Sequence, residues 1–346
     1  MRFSVMIWPY SGETIEPVVR LTQCAEAHGF ETVYVGDSQM LWNDVYICLA
    51  CCAQATQRVK LGTGVTNLAT RHPTVTANAM VSLNMLSQGR AVLGVGAGDS
   101  AVRTAGLSPV KREQLRRDVI FIRDLLSGQE VEAPASQDKD EKKTWGQELR
   151  VRVAGAEIWG KVPIEIAVMS PKAATLAGEI GDGVIVDGWA ANAEGAQTTV
   201  EAAKEGARRA GKDPSLLRLI AAIDAAIDDD GSNALDQVRS TAARNIANKL
   251  WLPDTLGVEH ADVVKAVTES YRFHEHLDLS AKHRELIPDT VAQKCTIAGT
   301  PQDCIDKARE LEAAGMTDIA IFVTTQNEDA ARLTLERFAR EVIPEV

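Results

Sequence analysis

Nowhere in the 346 residues does an apolar run approach the ~18 that a membrane-crossing helix needs. The opening MRFSVMIW lacks a charged leader followed by an apolar stretch, so no secretory signal is read there, no membrane partner is expected, and the expected location is the cytoplasm. Excess basic charge is missing too: Lys and Arg number 37 against 48 Asp and Glu, a net charge of −11. Nucleic-acid binders displace counterions with clustered Lys and Arg, which argues against nucleic acid as a partner. A small anionic ligand stays open, because a few backbone N–H groups and one helix dipole hold a phosphate whatever the global charge. Six cysteines are present, Cys24, Cys48, Cys51, Cys52, Cys295 and Cys304, without repeated CxxC pairs at zinc spacing. Those in YICLACCAQAT follow an apolar helical pattern and are expected to be buried free thiols in a reducing compartment. YRFHEHLDLSAKH gathers Tyr271, His274, His276 and His283, but histidines at i and i+2 do not share a helix face. No metal site is expected.

What is present is ordinary globular material, 45% hydrophobic and 25% charged, in a repeating order. Short Val- and Ile-rich runs alternate with longer amphipathic stretches, the pattern of βα units on a parallel sheet. Strands are expected at 2–8, 32–36, 59–65, 91–96, 163–168, 183–187, 217–227 and 318–323. A helix starting near Pro73 should bury Val75, Ala79, Leu83 and Leu86. The rhythm breaks at about 128–160, read as an exposed loop with a short hairpin, and in the helix-rich segment 231–290. Eight βα units with two insertions fit an α/β TIM barrel, 1–346 as one domain, better than a doubly wound sheet. Reactive groups should then sit at the C-terminal ends of the strands.

Those ends carry Trp8, Gly36-Asp37-Ser38 with Trp42 beyond, Gly64-Val65-Thr66-Asn67, Gly96-Ala97-Gly98-Asp99-Ser100, Met169-Ser170 and Asp187-Gly188-Trp189. Glycine, small hydroxyls, acids and tryptophan suit a flat ring and a phosphate. Gly96 and Gly98 let backbone approach a ligand, and the next helix start offers N–H donors; equally, the turn is a tight one with Asp99 or Ser100 as N-cap. Gly96-x-Gly98-x-x-Ala101 formally matches a dinucleotide fingerprint, but it sits on the fourth strand and no acid follows at the end of a next strand about 20 residues on. In LGTGVTNLATRHP, Gly62 and Gly64 before Val65 and Thr66 suggest a bulge or unusual peptide geometry where another group comes close, and Arg71 and His72 read as caps and tethers of the next helix.

The segments VGDSQMLW, KLGTGVTNLATRHPTVTA, GRAVLGVGAGDSAVRTAGL, SPKAATLAGEIGDGVIV and IAGTPQDCIDKARELEAAGMTDIAIF together resemble the bacterial luciferase-like flavin oxidoreductases. Within that family they resemble the methylenetetrahydromethanopterin reductase branch, whose members use the deazaflavin coenzyme F420. The resemblance implies a barrel with insertions at its mouth, a cofactor ring backed by a non-proline cis peptide at Gly64-Val65, and a phosphate cradle from Gly96 to Ser100 with Met169 and Ser170. It also implies Asp99 as proton donor and Asp37, Ser38 and Thr66 against ring or substrate, with the substrate near Trp8, Trp42, Trp189 and His276. Related deazaflavin sugar-phosphate dehydrogenases have an Asp-His pair where this chain has Asp37-Ser38, which removes the imidazole best suited to general-base work. The turn MSPK also lacks a glycine common in the family. A homodimer through Met80, Leu83 and Met85 is a further implication. The expected activity is hydride transfer between F420 and a small organic substrate. The alternatives are an FMN-dependent monooxygenase using oxygen and a non-catalytic flavin-binding or partner subunit.

Overall fold

Parallel strands buried on both faces read as near-continuous apolar runs, because crossover helices cover one face and barrel closure covers the other. The computed structural model describes residues 1–9, 14–132, 150–187, 192–248, 256–272, 281–324 and 327–346. Eight strands form its ring: β1 (Arg2–Trp8), β2 (Thr32–Val35), β3 (Lys60–Thr63), β4 (Ala91–Gly96), β5 (Ile164–Val168), β6 (Gly183–Asp187), β7 (Arg218–Ile227) and β8 (Asp318–Thr324). Each pairs in parallel with its neighbour, and β8 returns to β1 with Arg2 opposite Asp318 and Trp8 opposite Thr324. The expected TIM barrel is present.

Some edges differ from expectation. β3 stops at Thr63, the Gly64-Val65 peptide is cis, and pairing resumes at Thr66–Asn67 against Val95 and Gly96. A short strand not anticipated, Ile297–Gly299, pairs with the far end of β7. In the first interruption Val131–Glu132 pairs antiparallel with Arg150–Val151. The second holds the helices Gly231–Asn248 and Ala261–Ser270, which pack through Leu235, Val238, Ile246 and Val267 as a satellite core.

Alternation along each strand sorts the residues. Val5, Ile7, Val33 and Val35 face the helix layer, while Met6, Trp8, Tyr34, Val92, Ile185, Ala222 and Phe322 fill the barrel. At the N-terminal end of the ring the filling turns polar. Arg218 reaches Glu165 at 2.9 Å and also bonds Asp318, Tyr34 donates to Glu165 at 2.5 Å, and Ser4 accepts from Arg218 at 3.2 Å. Closing one end this way leaves the other open.

The helix Pro73–Leu86 starts where expected, with Pro73 in the first turn and His72 as N-cap accepting from the Thr74 N–H. Its buried face is Ala77, Met80, Val81, Leu83 and Asn84, whereas Val75 and Leu86, expected inside, are exposed with Met85. Neighbouring helices on both sides rotate the buried stripe away from the one read off a single face. Met80 and Leu83 belong to the core and so are not surface for a second subunit. Of the cysteines, Cys48, Cys52, Cys295 and Cys304 are buried and Cys24 and Cys51 partly so, all as free thiols. Burial pushes Cys48 and Cys304 up to about 12, as befits core thiols rather than nucleophiles. Among the described residues no helix is long and apolar enough to cross a membrane.

Candidate functional site

A cavity of about 380 Å³ opens at the C-terminal end of the strands. β2 runs out at Gly36, where the Trp42 ring lies so close that a Cβ on Gly36 would sit 2.6 Å from it. The chain then presents Asp37 to the cavity. Oδ2 of Asp37 accepts from the Thr66 hydroxyl at 2.6 Å, and burial pushes its carboxyl above the ordinary 3.8, with the Thr66 bond and Arg71 opposing. Behind this pair stands Tyr46, pushed up to about 12 by burial, with the Arg71 guanidinium 4.5 Å from its ring centre. Arg71 is tied at 2.5 Å to Asp44, which itself caps the helix Val45–Ala55. His72 caps the helix that follows, as expected, whereas Arg71 ties instead to the preceding helix Val45–Ala55 through Asp44 and reaches the electrostatics of Asp37.

The wall facing β3 and β4 is made of backbone. A Cβ on Gly94 would stand 2.0 Å from the Thr63 carbonyl oxygen, so nothing larger than glycine lets β3 and β4 approach. Gly98 has φ +93°, and the chain turns there into the single helical turn Ser100–Thr104. Gly64, Val65, Thr66, Gly96, Ala97, Gly98, Asp99 and Ser100 all line the cavity. Beside them is Asn67. Its Oδ1 accepts from the Ala69 and Thr70 N–H groups and the Thr70 hydroxyl, but its buried Nδ2 has no partner among the described residues.

Asp99 lines the cavity with its side chain 53% exposed and bonded at 2.9 Å to Nε of Arg103. Ser38 does not line the cavity; it is buried behind the wall, its hydroxyl 2.9 Å from that of Ser100. Met169 and Ser170 lie at the mouth, where Ser170 caps the helix Pro171–Ile180 by accepting from the Ala173 N–H. The opposite wall is aromatic. Trp8 stacks with Trp42 at 6.0 Å and packs on Phe322 at 4.7 Å. Trp189 and His276 lie outside the described residues.

Sequence reasoning named Asn67 at a strand end without a role and did not single out Arg112, Arg244 or Phe322; all four line the same cavity. One signal for Arg244 was available: Asp224 interrupts the apolar run LRLIAAIDAAI, and a buried acid calls for a buried cation. Asp224 is 3% exposed and accepts from Arg244 at 3.0 Å.

The glycine wall and the unpartnered Asn67 amide fit a flat ring carrying hydrogen-bond acceptors, which stacks on backbone where side chains would intrude. The adjoining N-terminus of the helix Pro171–Ile180 fits a phosphate.

Known proteins resemble the chain along nearly all its length. It is 31% identical to a 5,10-methylenetetrahydromethanopterin reductase of Methanolobus tindarius over 88% of this chain and 90% of that protein. It is 25% identical to an F420-dependent glucose-6-phosphate dehydrogenase of Gordonia bronchialis over 96% of this chain and 95% of that one. The solved coenzyme F420 dependent tetrahydromethanopterin reductase of Methanopyrus kandleri superposes with a TM-score of 0.79 at 24% identity, covering 99% of both chains, which shows the shared fold. The luciferase-like monooxygenase family model matches residues 1–318, and with a barrel whose cavity opens at the strand ends the chain belongs to the luciferase-like monooxygenase family of enzymes.

Proposed function

We propose that this enzyme transfers a hydride between coenzyme F420 and a small organic substrate. The observation that carries the reading is the wall itself. Backbone at Gly64-Val65 and Gly96, an acid at Asp37 and an unpartnered donor at Asn67 converge on one cavity. The relatives named for F420 or for pterin reduction, aligned over most of this chain, support the deazaflavin over FMN.

When bound, F420 would supply the hydride chemistry. The protein supplies the rest. Gly64, Val65 and Gly96 would form the surface under the ring, and Asn67 Nδ2 would be the donor to an acceptor on it. Gly98, Ser100, Ser170 and the helix Pro171–Ile180 cradle the phosphate, with the Arg112 cation at the rim. Asp37 is the group placed to exchange a proton with substrate: it lines the cavity, Thr66 fixes the direction of its carboxyl, and burial raises its pKa. Asp99 was the sequence's choice for that role, yet its carboxylate is engaged by Arg103 and half exposed, so we place it at the cradle. Ser38 orients Ser100 from behind. Trp8, Trp42 and Phe322 exclude water from the substrate end. The exposed Ile47, Val75, Met85 and Leu86 support a homodimer through the helices Val45–Ala55 and Pro73–Leu86.

Calorimetric titration of the purified protein with F420 and, separately, with FMN tests the reading. Binding of F420 alone is expected. Binding of FMN alone would make this an oxygen-using enzyme, and binding of neither would leave a partner subunit.

A further inference from the structure

The helix Gly231–Asn248 brings Arg244 to the lining of the cavity. The Arg244 side chain is 7% exposed. Its Nη2 donates to Asp224 Oδ2 at 3.0 Å and to Asn245 Oδ1 at 2.9 Å, and Asn245 Nδ2 donates to the same Asp224 oxygen at 3.1 Å. The guanidinium carbon lies 4.5 Å from the Trp8 ring centre and 5.6 Å from that of Phe322. Both hydrogen bonds leave from Nη2, so Nε and Nη1 have no hydrogen-bond partner among the described residues. A guanidinium clamped on one edge and stacked on a ring cannot swing away to find one.

The charges beside it limit what the free edge can hold. Asp224 already balances Arg244, and Asp187 lines the same cavity near enough to add to the burial that pushes Asp224 upward. An anionic group would meet Asp187. A neutral acceptor meets no such repulsion, and the neighbouring Trp8, Trp42 and Phe322 suit an apolar, unsaturated body.

We propose that Arg244 selects the substrate, its free guanidinium edge donating to a neutral carbonyl oxygen on an apolar ring compound packed against Trp8 and Phe322. Calling that compound the substrate rests on the hydride-transfer reading; the binding site itself does not. An unpaired buried charge weakens folding, so removing Arg244 alone would strand Asp224. The variants are therefore Arg244→Met and the double variant Asp224→Asn with Arg244→Met. Acetophenone and ethylbenzene, which differ in the carbonyl oxygen, are titrated calorimetrically into the full-length protein, as are benzoate and F420. Wild type is expected to bind acetophenone about tenfold more tightly than ethylbenzene, as a hydrogen bond to a charged donor provides. In both variants that ratio should fall to within about twofold of one, through loss of acetophenone affinity. A wild-type ratio near one, a ratio that survives in the double variant, or benzoate binding more tightly than acetophenone would overturn the proposal. F420 binding separates the two readings: its failure with the ketone ratio intact removes hydride transfer alone.

Discussion

The Thr66 hydroxyl donates to Oδ2 of Asp37 at 2.6 Å, joining residues 29 apart in the chain across the mouth of the barrel. One partner follows β2 and the other follows the cis peptide after β3, so the bond exists because β2 and β3 are neighbours in the ring. It couples the acid to the wall on which we place the cofactor.

Asp37 makes a prediction about pH. Burial raises its pKa in the folded state above the ordinary 3.8, so between those two values the folded protein binds more protons than the unfolded chain. Stability from this group is therefore full at low pH and lost as pH rises through the folded pKa. Asp37→Asn stays neutral throughout. Thermal midpoints measured from pH 4 to 8 should show the variant gaining on wild type as pH rises, while its F420-linked turnover falls by about 100-fold or more. A difference in midpoint that does not change with pH would contradict the buried-acid assignment.

Asn67→Ala removes the unpartnered amide donor but also the acceptor that orders Ala69 and Thr70. Asn67→Asp retains that acceptor and replaces the Nδ2 donor. Both variants should weaken F420 by roughly tenfold, the order of one hydrogen bond. Equilibrium titration of F420 fluorescence reads it. Full affinity in Asn67→Asp would place the amide away from the cofactor.

Two glycines of the fold should respond differently to alanine. Gly94→Ala drives a Cβ to 2.0 Å from the Thr63 carbonyl, which has no room to retreat within the sheet. Gly29 has φ +79° with nothing within 4 Å of a Cβ, so Gly29→Ala should cost about 1 kcal/mol from backbone conformation alone. Chemical denaturation should rank Gly94→Ala well below Gly29→Ala in stability and show that only the former disturbs cofactor binding.

Arg218 is the cation of the polar cluster that closes the N-terminal end of the barrel, between the buried Glu165 and Asp318. Arg218→Met leaves both acids without their shared partner, a loss of about 3–5 kcal/mol. Urea denaturation measures it. A loss under about 1 kcal/mol would show that the cluster's remaining donors, Tyr34 and Arg2, suffice.

The strand order, the barrel and the glycine-rich mouth were legible in the chain because each is a local pattern. β-branched runs alternate with amphipathic stretches, and glycines collect after the second, third, fourth and sixth strands. Even the acid at the end of β2 could be named from its position. What the sequence could not show is which distant groups meet. The buried face of Pro73–Leu86 depends on two neighbouring helices, and the partner of Asp224 lies 20 residues away on another element. Our choice of Asp37 over Asp99 rests on burial and on Arg103, neither visible in a residue's identity. Periodicity reports the direction in which a side chain leaves its own backbone; only closure of the ring determines what stands opposite it, and a buried carboxyl takes its chemistry from that opposite group.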